Sequence, residues 1–201
     1  MISKPNIALK EWAVTIKALD EGIQTILFRK GGIHEEGREF RIEHARFLLY
    51  PTYEHQREES LKDKFRKELY TILHDLNDTN TLTIRNWATI SHIAEITHME
   101  QIKALSPYYI WNNDYLYERL KWRPRKPLNM LILRVYRLLE PKTIEILPEY
   151  SGCKSWVNLN QEFSLEEAKP VLRDHQFNQS LKTIKTILQE SLNIVFKLSV
   201  R

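Results

Sequence analysis

The chain has 201 residues but a single cysteine, five glycines and no uninterrupted apolar run longer than four residues. Cys153 alone cannot form an intramolecular disulfide or a multi-cysteine zinc site, which excludes a disulfide scaffold and fits a reducing compartment. The short apolar runs exclude a helical membrane span. Met1-Ile2-Ser3-Lys4-Pro5-Asn6 lacks the apolar core of a signal peptide, so the cytoplasm is the expected address. Few glycines leave little material for a phosphate cradle. Neither G-x-x-x-x-G-K-[ST] nor G-x-G-x-x-G occurs, and H-E-x-x-H, C-x-x-C and G-x-S-x-G are missing too. Nucleotide hydrolysis, zinc proteolysis and α/β-hydrolase chemistry lose their usual support, and no cofactor or metal is expected.

What is present is ordinary globular material, 42% hydrophobic and 28% charged, enough at this length to bury a core without staples. The net charge is only +4, but it is unevenly spread. Arg119, Lys121, Arg123, Arg125, Lys126, Arg134 and Arg137 occur in a stretch with no acid, whereas residues 54–68 hold five acids and five bases. A local cationic stretch is what an anion-binding face requires, although a solvated loop has the same composition.

The spacing of Leu9, Trp12, Ala13, Ile16 and Leu19 predicts an amphipathic helix from residue 5 or 6, closed by Gly22. Residues 24–29 read as a strand, 33–46 as an extended loop or hairpin arm, and 47–50 as a buried strand stopped by Pro51. A helix is expected over 58–76, one long strand over 82–96 or two strands with a kink near Asn86, and a short helix over 99–105. Residues 108–121 read as an aromatic-rich connection and 128–139 as a central strand, apolar on both faces. Further strands are expected around 143–147 and 155–159. Ser164 and Glu167 have capping-box spacing, and Leu181, Ile184, Leu188 and Leu192 mark a last amphipathic helix. This order is not a regular βαβα alternation, so the expected class is α+β, a mixed β-sheet or small barrel with flanking helices. The expected division is a core over 1–160 and a C-terminal helical appendage over 161–201.

Three constellations compete for function. Tyr108, Tyr109, Trp111, Tyr115, Tyr117 and Trp122 interleave with Arg119, Lys121, Arg123, Arg125 and Lys126. Rings stack on bases and adjacent cations hold phosphates, although most aromatics serve packing. Glu43, His44, Glu54 and His55 form a polar cluster around one strand, suited to a metal-dependent phosphodiesterase or, more simply, to capping and hydrogen bonding. The C-terminal stripe is suited to an interaction adaptor.

Residues 8–12 (Ala-Leu-Lys-Glu-Trp), 29–33 (Arg-Lys-Gly-Gly-Ile) and 47–56 resemble domain-of-unknown-function family 1802. The resemblance continues through residues 107–111, 133–137 and 152–156, and covers about residues 8–158. It implies a link to restriction–modification systems, because related domains accompany Mrr-type endonuclease domains. More remotely, Gly22 to Arg29 resembles the G-x-K-x-x-E-x-R run of ASCH domains, with Gln24 and Leu27 in place of the Lys and Glu. That resemblance implies a PUA-like barrel that binds RNA or modified bases rather than hydrolysing them. Composition, constellations and resemblance converge on a nucleic-acid-binding module, with Arg29 and residues 119–126 as phosphate contacts. Trp12, Tyr50, Tyr109 and Trp111 are its expected pocket or stacking residues. Whether the chain is also an enzyme, and how many copies assemble, stays open.

Overall fold

A computed structural model describes residues 5–30, 44–75, 80–124, 128–152, 154–191 and 197–198. The ladder path runs β2(Ile26–Arg29), β5(Leu128–Glu145), β4(Thr81–Ile96), β3(Arg46–Thr52), β1(Ile7–Trp12), β6(Trp156–Asn158). Two short strands lie off this path: β7(Lys169–Pro170) pairs with β5 and β8(Lys197–Leu198) with β4. β1 and β3 run parallel and the other pairings are antiparallel. This is the expected α+β class with a mixed sheet. The helices are α1(Ala13–Asp20), α2(Asp63–His74), α3(Met99–Ala104), α4(Asn113–Lys121) and α5(Asp174–Ser191).

Side chains of a strand alternate between faces, and here both faces are buried. Leu9, Phe47 and Leu49 enter one apolar cluster, which also takes Val14, Leu69, Ile102, Leu116, Ile184 and Leu188 from all five helices. Their neighbours Ala8, Leu48 and Tyr50 enter a second cluster with Leu82, Ile84, Tyr150, Val157 and Phe163. β5 lies between β2 and β4, and Met130, Leu131, Ile132 and Leu133 are all fully buried, as expected of a central strand apolar on both sides. The expected kink near Asn86 is a register shift between Ile84 and Asn86, with a second shift between Ile90 and His92. Such irregularities bend a long strand and raise its twist.

Several local expectations are corrected. The first predicted helix starts late, because residues 7–12 are strand and only Ala13 onward is helix. The three-and-four spacing of Leu9, Trp12 and Ala13 is shared by a strand end and a helix start, so periodicity alone cannot separate them. Gly22 does close α1: its φ is +71°, its N–H donates to Leu19 (3.2 Å) and that of Ile23 to Ala18 (3.0 Å), a Schellman pair. Pro51 does not stop β3. It sits beyond residues 46–48, where pairing with β4 has ended, so its missing N–H costs no ladder bond. The aromatic connection contains helix α4, capped by the Asn112 side chain, which accepts from the Tyr115 N–H. Residues 143–145 continue β5 rather than forming a separate strand. Ser164 accepts from the Glu166 N–H in a turn and no helix follows it; β7 lies there instead.

The adaptor reading of the C-terminal stripe is also corrected. Ile184 and Leu188 are fully buried in the chain's own first cluster, with Leu181 packed against it. Leu192 lies outside the described residues, as do residues 33–43, Cys153, Arg125 and Lys126. Among the described residues, no helix is long and apolar enough to cross a membrane.

Candidate functional site

A cavity of about 210 Å³ opens where β1 and β2 end and α4 passes over them. β1 and β2 are not ladder neighbours, yet Arg29 joins them. Its Nη2 donates to the Lys10 carbonyl (2.6 Å) and pairs with the Glu11 carboxylate (3.1 Å), while the other Glu11 oxygen accepts from the Trp12 N–H (2.8 Å). Strand β2, one end of the sheet path, therefore curls toward β1, the strand next to the other end, and one guanidinium spans the gap. Both side chains of this pair are largely buried, 14% exposed for Arg29 and 10% for Glu11.

One wall is aromatic. Trp12 and Tyr115 lie 5.4 Å apart between ring centres, Tyr115 and Trp111 6.3 Å apart and near parallel, and Phe28 meets Trp111 edge-on at 6.2 Å. Spacings of this order are the offset and T-shaped arrangements that ring quadrupoles favour. Among the described residues, the Trp111 Nε1–H and the Arg119 Nε–H have no hydrogen-bond partner. An unmet buried donor costs roughly 1–3 kcal/mol, and these two stand at the cavity wall, where a ligand acceptor could reach them.

The other wall is cationic. Among the described residues, Lys10, Arg29, Lys30, Arg119 and Lys154 line the cavity against only Glu11 and Glu54. Two of the cations are matched, Arg29 by Glu11 and Lys10 by Glu54 at 3.5 Å. Lys30, Arg119 and Lys154 have no carboxylate partner among the described residues. Lys30 is 3% exposed and its ammonium donates to the Leu120 carbonyl at the end of α4. Burial first, and the Arg119 charge second, hold its pKa below the ordinary lysine value. Arg119 donates to the Tyr115 hydroxyl (2.9 Å) and Lys154 to the Glu149 carbonyl (2.9 Å).

The structure therefore brings together Trp12, Arg29, Trp111 and Arg119 from the set expected on sequence, with Glu54 and His55 at the same cavity. Others lie elsewhere. Tyr109 is a core residue, 2% exposed, whose hydroxyl donates toward the Ile102 carbonyl (2.8 Å) and the Asn113 side chain (2.9 Å), and burial pushes its pKa up to about 12. Tyr50 packs in the second cluster against Tyr150. Lys121 lies over the Tyr117 ring and Arg123 over Trp122, outside the cavity lining. Arg134 and Arg137 are committed to Asp174 and Asp20. His44 packs edge-on against Trp156 rather than beside His55, and Glu43 lies outside the described residues. Among the described residues, no group of three or more His, Cys, Asp or Glu is placed to hold a metal ion.

Sequence reasoning missed Lys10, Glu11, Lys30 and Lys154 as site residues. Lys10 and Glu11 carried a signal: two adjacent charges inside an otherwise apolar six-residue strand, both buried. The acid paired with Arg29 is Glu11, while Leu27 is core and Gln24 is buried between the Ile26 carbonyl and the Ile110 N–H.

Fold and cavity together define an α+β domain whose curled mixed sheet carries a cationic, aromatic-walled recess at the open seam. The chain belongs to the family described as Domain of unknown function (DUF1802), whose model matches residues 8–183. No curated protein matches it. Among solved structures, the crystal structure of a mutant ZmASCH protein from Zymomonas mobilis is similar to it. Sequence identity is 12% and the TM-score 0.41, with 90% of this chain and 98% of that chain covered.

Proposed function

We propose that the chain binds nucleic acid through this cavity, with one base against the Trp12–Tyr115 wall and the adjoining phosphate held by Arg119 and Lys154. The observation that carries the reading is the meeting of a three-ring aromatic wall with three cations that lack carboxylate partners among the described residues. Aromatic faces take any base, and unmatched cations beside them attract the backbone. A cavity of about 210 Å³ suits one base rather than a duplex, so the favoured ligand is single-stranded or flipped out. The family resemblance adds restriction–modification as the setting, where a module reading a modified base would direct a partner enzyme to its target. The cytoplasm is the matching compartment.

Anisotropy of labelled single-stranded DNA and RNA, titrated across a salt series, tests this. Lys154→Glu should weaken binding for every sequence and flatten the logarithmic salt slope by about 1. Trp12→Leu should cost about 1–3 kcal/mol of binding, as for a lost stacking platform. Binding that ignores salt, or that survives Lys154→Glu together with Arg119→Gln, would sink the proposal.

A further inference from the structure

A second cavity, of about 300 Å³, lies on the other side of β1 and β3. Its lining includes Tyr50, Tyr53, Tyr150, Leu82 and Ile146. It shares Lys10, Thr52 and Glu54 with the first cavity, and Lys10 and Glu54 are its only charged lining residues among those described. The partition between the two is thus thin and polar. Lys10 is 7% exposed, and its ammonium donates to the Tyr150 (3.0 Å) and Gly152 (3.2 Å) carbonyls while facing Glu54 at 3.5 Å. Glu54 is 49% exposed, so its carboxylate has solvent to swing into. Burial, with the Glu54 charge as the next cause, pushes the Tyr50 hydroxyl up to about 12, so this side offers neutral phenols rather than charge.

The chemistry of the two chambers differs in a consistent way. One is cationic and ring-walled. The other is neutral in sum and rich in tyrosine, suited to an uncharged ring, and a buried ammonium stands at the boundary. We infer that the two chambers are one bipartite site for a dinucleotide step of a single strand. In it the second base lies among Tyr53, Tyr50 and Tyr150, and the phosphodiester crosses at Lys10 and Thr52 in place of Glu54. The inference rests on the nucleic-acid reading above and names its ligand length.

Calorimetric titration of the full chain with a nucleoside 5′-monophosphate and with the matching 5′-phosphorylated dinucleotide separates the two ideas. The dinucleotide should bind about tenfold or more tightly than the mononucleotide, the gain of one further stacked base. Tyr53→Ala should bring the dinucleotide down to the mononucleotide's affinity and leave the latter unchanged. Ser151→Phe, at an exposed position of the second chamber's lining, should do the same by filling it. Glu54→Gln should tighten the dinucleotide selectively. Equal affinities for the two ligands, with no effect of Tyr53→Ala or Ser151→Phe, would overturn the bipartite site and leave the single-base cavity standing. Absence of binding by either ligand would overturn both.

Discussion

Replacing Arg29 by methionine tests whether one guanidinium holds the sheet's seam. Methionine keeps the unbranched stem and much of its packing, but removes the donor to the Lys10 carbonyl and the partner of Glu11. Among the described residues, the Glu11 carboxylate would keep only its bond from the Trp12 N–H, at a residue 9% exposed. Breaking a buried pair from one side costs about 3–5 kcal/mol. The cavity's access to water puts this case at the lower end, about 3 kcal/mol. For a protein whose whole stability is about 5–15 kcal/mol, that is a large share. With a urea slope of about 2 kcal/mol per molar, the midpoint should fall by about 1.5 M. Adding Glu11→Gln to Arg29→Met removes the orphaned charge, so the double variant should be more stable than the sum of the singles by about 1–2 kcal/mol. Urea unfolding followed by circular dichroism on all four proteins measures this. A fall of less than about 0.3 M for Arg29→Met, or singles that add to within about 0.5 kcal/mol, would refute the seam argument.

Gly22→Ala should destabilise the fold by about 1–2 kcal/mol from backbone strain at φ +71°. A further part arises because the new Cβ would stand 2.7 Å from Leu172 Cδ2. Leu172→Ala in the same chain should recover the second part and not the first, as read by thermal unfolding. Stability should also rise with pH between about 8 and 10. Burial, more than the neighbouring Lys64 charge, lowers Lys62 to about 8, so in that window the unfolded chain binds the extra proton. Above about 10 the trend should reverse, because Tyr50 and Tyr109 are raised to about 12 and the folded chain then holds the protons. Lys62→Met should reduce the rise to the part that Lys30, also lowered by burial, contributes, while leaving the fall; a wild-type chain whose stability is flat from pH 8 to 10 would contradict the reasoning.

The sheet was legible wherever one residue type ran long. Residues 128–139 announced a central strand by being apolar at both parities, and residues 82–96 announced β4 together with its irregularity near Asn86. The junction at Trp12–Ala13 was not legible, because a strand whose last residue is followed directly by the first residue of a helix leaves no turn residue between them. Helix α4 was hidden for a different reason. Its aromatic and cationic side chains suggested a ligand face, and the Asn112 cap that starts it is a single residue. At the site, Trp12, Arg29, Trp111 and Arg119 could be chosen by chemistry, yet Tyr109 could not be told from Trp111 two residues away. Both rings are buried, 2% and 3% exposed, and which of them borders the cavity depends on tertiary contacts, such as those of the Tyr109 hydroxyl with Ile102 and Asn113, that no local pattern encodes. Lys10 and Lys154 meet the cavity only because β1, β6 and the turn before β6 come together in three dimensions.

Strand β1 acts as a two-sided plate. Leu9 and Glu11 look toward the helices, whereas Ala8 and Lys10 look toward the opposite cluster. Deleting a single residue before Lys10 would exchange those sides. The ammonium would then confront the Arg29 guanidinium and the carboxylate would point among tyrosines. The spacing of those six residues therefore has little latitude: a length change there exchanges Lys10 and Glu11 between the two faces at once, while a point substitution leaves every other side chain on its own face.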